Sequence, residues 1–359
     1  MYESIVEALL VSPEPAIRWK VRSRVLGDCY GQRDVSTREG ALVRVWRDRG
    51  FAATAVSRKR GRETRQAART RGNTVKLALD PYMFRTTALL ELPGLVADLG
   101  YRYIELSPRE DFTPFFLHPR ANRDVVMRFK RALDAAGVEI ATHLPLYRWS
   151  GPDEDERQAA VRYWKRAIQL TVDLDCRVMN SEFNGRPEAA SKSEAQFWRS
   201  MEELLPIFER EGMQLRLEPH PDDFVEDGKT AVDMVRGIDS PLVSFLYCAP
   251  HTFHMGGDIA GVMEYAGELL THVHVADSFD HRASSGLRYI VNPPGSTARV
   301  HQHLDIGQGE VDWDEFFGTL GRMKFDGVMT VCVFAWEERA RESSRYMRET
   351  IEKRVQSWR

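Results

Sequence analysis

From Val75 onward, short runs rich in β-branched and aliphatic residues alternate with longer stretches whose apolar positions recur every three or four residues. Parallel βα units produce this alternation. A strand covered on both faces reads as a continuous apolar run, while each covering helix carries one apolar stripe. The pattern predicts strands near 75–80, 102–106, 138–143, 176–183, 213–218, 242–247, 271–276 and 327–333. The intervening helices fall near 87–99, 122–136, 153–174, 193–211, 229–238, 258–269, 312–322 and 339–356. Gly100, Gly137 and Gly212 stand where helix ends favour a left-handed residue. Eight strands and eight helices fit an α/β fold of the closed (β/α)8 TIM barrel type. An open doubly wound sheet would carry a glycine-rich phosphate loop after its first strand, and none follows Asp80.

Two stretches depart from the alternation. Residues 3–11 and 14–26 read as short helices, and Arg44 to Gly72 is basic, with Arg58-Lys59-Arg60-Gly61-Arg62 at its centre. A solvated linker accounts for that composition better than a nucleic-acid arm. The chain thus divides into a partly helical, basic extension, 1–74, and a barrel domain, 75–359. Within the barrel, the connection from Ser278 to Gly309 is far longer than most, and long connections at the carboxyl face commonly build the site. It carries His281, Arg282, Arg288, Tyr289, Asn292, His301 and His303.

Charge sharpens the division. The 359 residues carry a net charge of −3, but residues 1–74 hold 16 Lys/Arg against 8 Asp/Glu, leaving 34 against 45 for the rest. An acidic barrel argues against a nucleic-acid substrate, whose footprint is basic. No run approaches the roughly 18 apolar residues that span a membrane. Met1 to Val11 lacks a charged-then-apolar leader pattern, and Cys29, Cys176, Cys248 and Cys332 are scattered. The expectation is a cytoplasmic protein with buried, reduced thiols.

The candidate chemistry sits where the predicted strands end. Those ends carry Glu105, His143, Glu182, Glu218 with His220, His251 with His254, His272 or His274 with Asp277, and Glu337 or Glu338. In a barrel all of them converge on one mouth. Carboxylates and imidazoles together suit a divalent ion, and imidazole shifts the preference from Mg²⁺ toward transition metals. Glu218, His251, His274 and Glu337 form the expected ligand set, with Glu182 as a substitute. His274 is preferred to His272 because both point to one face and His274 lies nearer the carboxyl end. Mn²⁺ is the expected ion, with Co²⁺, Mg²⁺, Fe²⁺ and Zn²⁺ as alternatives.

Longer motifs add a resemblance. His251-Thr252-Phe253-His254-Met255 resembles the Asp-Thr-Phe-His-Met run of ketohexose epimerases, with His251 at the metal-binding Asp position. Leu217-Glu218 is similar to the strand-end Glu that binds metal and acts as a base there. His274-Val275-Ala276-Asp277 is similar to that family's His-x-Gly-Glu, whose His is a ligand. With Asp305-Ile306-Gly307-Gln308-Gly309-Glu310-Val311-Asp312-Trp313, residues 75 to 356 resemble the xylose-isomerase-like barrels. Two departures stand out: His251 replaces Asp, and the last strand runs on through Cys332 to Glu337-Glu338 rather than ending early in one Glu. Thr142-His143-Leu144-Pro145-Leu146-Tyr147, Asn180-Ser181-Glu182-Phe183 and Phe334-Ala335-Trp336-Glu337-Glu338-Arg339-Ala340 resemble the catalytic subunits of C-glycoside deglycosidases. That branch acts on 3-oxo-C-glycosides and pairs with a small β-sandwich subunit.

The resemblance implies a metal-dependent isomerase, epimerase or carbon–carbon lyase that removes a proton next to the carbonyl of a keto sugar. His143 is the expected base, with Glu182 and Glu218 as alternatives and Glu337 the remaining catalytic carboxylate. His220, His254, Asp277, Arg288 and Trp336 are the expected substrate-binding set, and Trp149, Phe183 and Phe253 are candidate sugar platforms. The implied assembly is a homo-oligomer or the β-sandwich complex. Rival readings are an apurinic endonuclease, a metal-assisted hydrolase and a non-catalytic sugar-binding barrel.

Overall fold

The computed structural model describes residues 75–278 and 302–358. The expectations for residues 1–74, and for Arg288 with most of its long connection, lie outside the described residues.

Eight strands form the barrel: β1 (Lys76–Leu79), β2 (Tyr103–Leu106), β3 (Glu139–His143), β4 (Val178–Glu182), β5 (Gln214–Glu218), β6 (Val243–Cys248), β7 (Leu270–Val275) and β8 (Val328–Val331). They pair in chain order, all parallel, and β8 returns to β1 to close the sheet. The described helices are α1 (Leu92–Asp98), α2 (Arg123–Ala136), α3 (Glu154–Asp173), α4 (Ala190–Glu211), α5 (Gly228–Ile238), α6 (Ala249–His254), α7 (Ile259–Ala266), α8 (Trp313–Arg322) and α9 (Ala340–Gln356). Their starts are written in the sequence. Asn122, Asp153, Asp227, Asp258 and Asp312 each accept a hydrogen bond from the amide three residues on, satisfying a donor that the helix leaves unpaired. Gly137 and Gly212 close α2 and α4 at φ of 66° and 62°, a region costly to any residue with a Cβ.

Two segments differ from the sequence expectation. α1 begins at Leu92 rather than near 87, because Pro93 suits a first helical turn and the preceding residues are spent on turns. The run after β6, expected to be a loop, is the short helix α6, with Pro250 in its first turn.

The main core lies between sheet and helices. Trp149 and Trp164 meet at a tilt with 4.8 Å between centroids, Phe197 meets Trp149 at 5.5 Å and Phe183 at 5.2 Å, and all four are fully buried. Trp149 and Phe183 are therefore core residues, and the expectation that they form a sugar platform is withdrawn. Inside the barrel, Ala78, Ala141 and Val328 pack with Tyr103 as a small apolar plug. Next to it the interior is polar.

A shift of register decides which residues of β3 reach that interior. Ile104 pairs with Ile140, but Glu105 pairs with Thr142, so Ala141 is an extra residue on β3. A one-residue slip exchanges the faces of everything after it. Thr142 therefore points into the barrel beside Glu105, and His143 points out.

Candidate metal and catalytic centre

A buried carboxylate, Glu105, organises the barrel interior. Its Oε2 accepts from Thr142 Oγ1 (2.8 Å), Asn180 Nδ2 (2.8 Å) and Thr330 Oγ1 (3.2 Å), and its Oε1 faces His274 Nε2 at 2.9 Å. His272 lies in the same layer, with Nε2 2.7 Å from Thr330 Oγ1 and Nδ1 3.1 Å from both Asn180 Nδ2 and Arg216 Nη1. These partners assign it as the neutral Nε2–H tautomer. Burial, then the charges of Arg216 and His274, push its pKa well below the ordinary value. Burial also brings the Arg216 guanidinium down to about 10, while Glu105 pulls the other way. Asp80 ends β1 in a bond from Ser107 Oγ, and burial together with Glu105 holds its carboxyl well above the usual range.

The mouth lies above this layer. Glu182 and Glu218 are paired in register on β4 and β5, and both are 2% exposed. Glu218 Oε2 is 3.1 Å from His274 Nδ1 and 3.6 Å from His251 Nδ1. His274 thus bridges two carboxylates. Burial opposes its charge, but Glu218 and Glu105 outweigh burial and raise its pKa well above the ordinary value. On the other side, Glu182 Oε1 lies 3.5 Å from His220 Nε2, whose ring meets that of His251 at 4.4 Å. His254 is buried one turn beyond His251 on α6.

Three further residues join this cluster: two thiols that were expected only as buried cysteines, and His303, expected only as one of the donors on the long connection. Cys248 ends β6 opposite His274, and Cys332 directly follows β8 and lies close enough to Cys248 for the two thiols to influence each other electrostatically. His303 hangs from the return of the long connection. Its Nδ1 lies 2.7 Å from the Cys332 carbonyl, and its ring stacks on Phe334 at 4.4 Å. Burial alone would raise the Cys332 thiol, but Cys248 and the nearby His303 and His274 bring it well below its ordinary value. Among the described residues, two groups have potential ligand atoms within 4.8 Å of one another at this mouth: Glu218, Cys248 and His274, and Cys248, His251 and His303. Glu105, His272 and His274 form a third group deeper in the barrel. The only signal in the sequence for the thiols was their place at strand ends.

Other expected site residues are employed elsewhere. His143 is fully buried outside the barrel, with Nδ1 2.7 Å from Thr171 Oγ1 on α3 and Nε2 3.1 Å from Thr113 Oγ1. Burial lowers its pKa to about 3. It cannot reach a substrate in the mouth, so its assignment as base is corrected, and the cause is the extra residue on β3. Glu337 lies on a short 3₁₀ turn beyond β8 and pairs with Arg85 at 2.8 Å, 30% exposed. It belongs to none of the described ligand groups, so its ligand and catalytic assignments are corrected too: the chain after β8 carries it out to the rim. Asp277 accepts from the amides of Ser278, Gly307 and Val311 and from Trp313 Nε1. Both of its oxygens hold the Asp305-to-Trp313 turn, which replaces the expected role in substrate binding. Trp336 follows β8 with the Arg339 guanidinium 4.3 Å over its ring. A cleft of about 440 Å³ opens among Phe224, Asp227, Thr252, Met255 and Asp258, and none of the mouth carboxylates lines it.

Fold and mouth together define the class: a parallel (β/α)8 barrel with acidic and imidazole side chains gathered at the carboxyl ends of its strands. The chain belongs to the xylose isomerase-like TIM barrel family, which it matches over residues 93–350. Its fold is similar to a D-tagatose 3-epimerase-like protein (TM-score 0.63, 16% identity, covering 79% of this chain and 98% of that one). It is also similar to the IOLI protein with a binding zinc atom (0.61, 17%, 79% and 99%). A third similar structure is the probable 3-DHS dehydratase AsbF from Bacillus anthracis (0.61, 13%, 77% and 99%). No curated protein sequence matches the chain. No described helix is long and apolar enough to cross a membrane.

Proposed function

We propose that this barrel is a divalent-metal-dependent enzyme that removes a proton from the carbon next to a carbonyl in a sugar or sugar derivative, as isomerases and epimerases do. The observation that carries the reading is the pair of buried carboxylates, Glu182 and Glu218, side by side at the mouth and each backed by histidine. Family membership and likeness to an epimerase-like protein and a zinc-containing barrel support it.

The donors fit a metal. Glu218 and His274 lie together with Cys248, and His251 has Nδ1 turned to the Pro219 carbonyl at 3.1 Å, leaving Nε2 as its lone-pair nitrogen. A carbonyl holding the outer nitrogen is the usual support of a metal-binding imidazole. Bound there, a divalent ion supplies the charge stabilisation that an enolate needs at its oxygen. Glu182 is the proton acceptor in this reading, and His220 positions its carboxylate and shares the proton once taken. The buried walls exclude water from the reacting carbon. Return of the proton gives an isomer or epimer; in a 3-oxo-C-glycoside the same removal precedes loss of the aglycone, with a small β-sandwich subunit as the candidate partner.

The test is metal content of the purified protein, followed by proton–deuterium exchange on keto sugars that include a 3-oxo-glucoside. Glu182→Gln is expected to slow exchange by about 10²-fold or more with metal retained, the range for a positioned general base. Glu218→Ala is expected to lose both metal and exchange. Absence of exchange from the metal-loaded protein across the panel would sink the reading.

A further inference from the structure

The ligand set expected from the sequence was carboxylates and imidazoles. The mouth contains something softer. Cys248 Sγ lies within 4.8 Å of ligand atoms in both groups at the mouth, with Glu218 and His274 on one side and His251 and His303 on the other. It is the one residue common to the two. The strand that was to supply Glu337, which pairs instead with Arg85, places Cys332 near this sulfur.

The imidazoles are set for the same purpose. His251 turns Nδ1 to the Pro219 carbonyl at 3.1 Å, and His303 turns Nδ1 to the Cys332 carbonyl at 2.7 Å. A carbonyl accepts only from N–H, so both rings carry their proton on Nδ1 and keep the lone pair on Nε2. Two imidazoles, one on α6 and one on the long connection, share one tautomer, their rings 5.4 Å apart and both beside one sulfur. His303 is further pinned by its stack on Phe334.

We propose that Cys248 is a thiolate ligand of the divalent ion at this mouth, with His251 and His303 as its imidazole partners and Glu218 alongside. The site is therefore selective for a thiophilic ion, Zn²⁺ foremost, over the Mn²⁺ that carboxylates and imidazoles alone would accept. Binding replaces the Cys248 S–H bond with a sulfur–metal bond and releases one proton to solvent. Sulfur donors favour Zn²⁺, whereas Mg²⁺ and Mn²⁺ are held best by oxygen. The inference rests on the metal-dependent reading above, and its test separates the two.

The chelator-stripped full chain is loaded with Co²⁺ alone, and its near-ultraviolet spectrum is recorded before any activity is measured. A sulfur-to-cobalt charge-transfer band is expected in the wild type and is expected to be lost in Cys248→Ser. In competition, Zn²⁺ should displace Mn²⁺ with a preference of roughly a hundredfold or more, given their order of affinity and a sulfur donor. That preference should fall at least about tenfold in Cys248→Ser. Bound Co²⁺ without the band, in the wild type, overturns the thiolate ligand and leaves a carboxylate–imidazole site with the proposed activity intact. No bound Co²⁺ at all overturns both proposals. The wild-type spectrum decides the matter even if the serine variant does not fold.

Discussion

His143 and Glu182 end neighbouring strands and look equally eligible in sequence, yet their chemistry is opposite. His143 faces outward into a pair of threonine hydroxyls and is neutral, with its pKa lowered by burial to about 3. An unfolded histidine titrates near 6.5. Between those values the unfolded chain binds the extra proton, so the stability contributed by neutral His143 is complete above about pH 6.5 and is lost as pH falls toward 3. His143→Gln should therefore flatten the acid limb of an unfolding curve by up to a few kcal/mol, an order-of-magnitude figure. It should leave exchange per folded molecule unchanged. A rate loss of the size expected for Glu182→Gln would restore His143 to the mechanism. At this scale the sequence identified strand-end acids and imidazoles, but a residue's name does not say which side of the sheet it faces.

The face is decided by the element. β3 carries an extra residue at Ala141, and the exchange of faces that follows sends Thr142 to Glu105 and His143 to α3. Nothing in the run Glu139-Ile140-Ala141-Thr142-His143 announces a bulge, because the slip is defined only against β2. The segment after β7 teaches the same lesson. Asp277 looked like a site residue, but four donors from Ser278, Gly307, Val311 and Trp313 converge on its carboxylate. Asp277→Ala would strand those donors in a buried setting, at a cost on the order of 3 kcal/mol. Hydrogen exchange should rise first at the amides of Gly307 and Val311. Uniform protection across the chain in that variant would contradict the assigned role.

For the whole molecule, the polar barrel interior couples folding to the ion. Glu218, His251 and His274 are buried together, and His274 bridges Glu105 and Glu218. An ion that binds only the folded barrel stabilises it by about 2.7 kcal/mol at a hundred times its dissociation constant. That corresponds to a rise in Tm of roughly 5 °C for a domain of this size. Chelation should lower Tm by that order, and the added ion should restore it in a concentration-dependent way. A Tm indifferent to metal across that range would count against a resident ion.

The sequence by itself determined the alternation of strands and helices, the closure of eight strands, the caps that start the helices and the gathering of Glu182, Glu218, His251 and His274 at one mouth. The alternation and the caps follow from periods of two and 3.6 residues or from local backbone needs, which neighbours along the chain specify, and the barrel and its mouth follow from the count of eight βα units. Only the tertiary structure decided that His143 turns away, that Glu337 goes to Arg85, and that Cys248, Cys332 and His303 meet beside His251. Those outcomes depend on register between strands and on contacts between distant segments, and the closing of β8 onto β1 is what brings the last strand's thiol to the mouth.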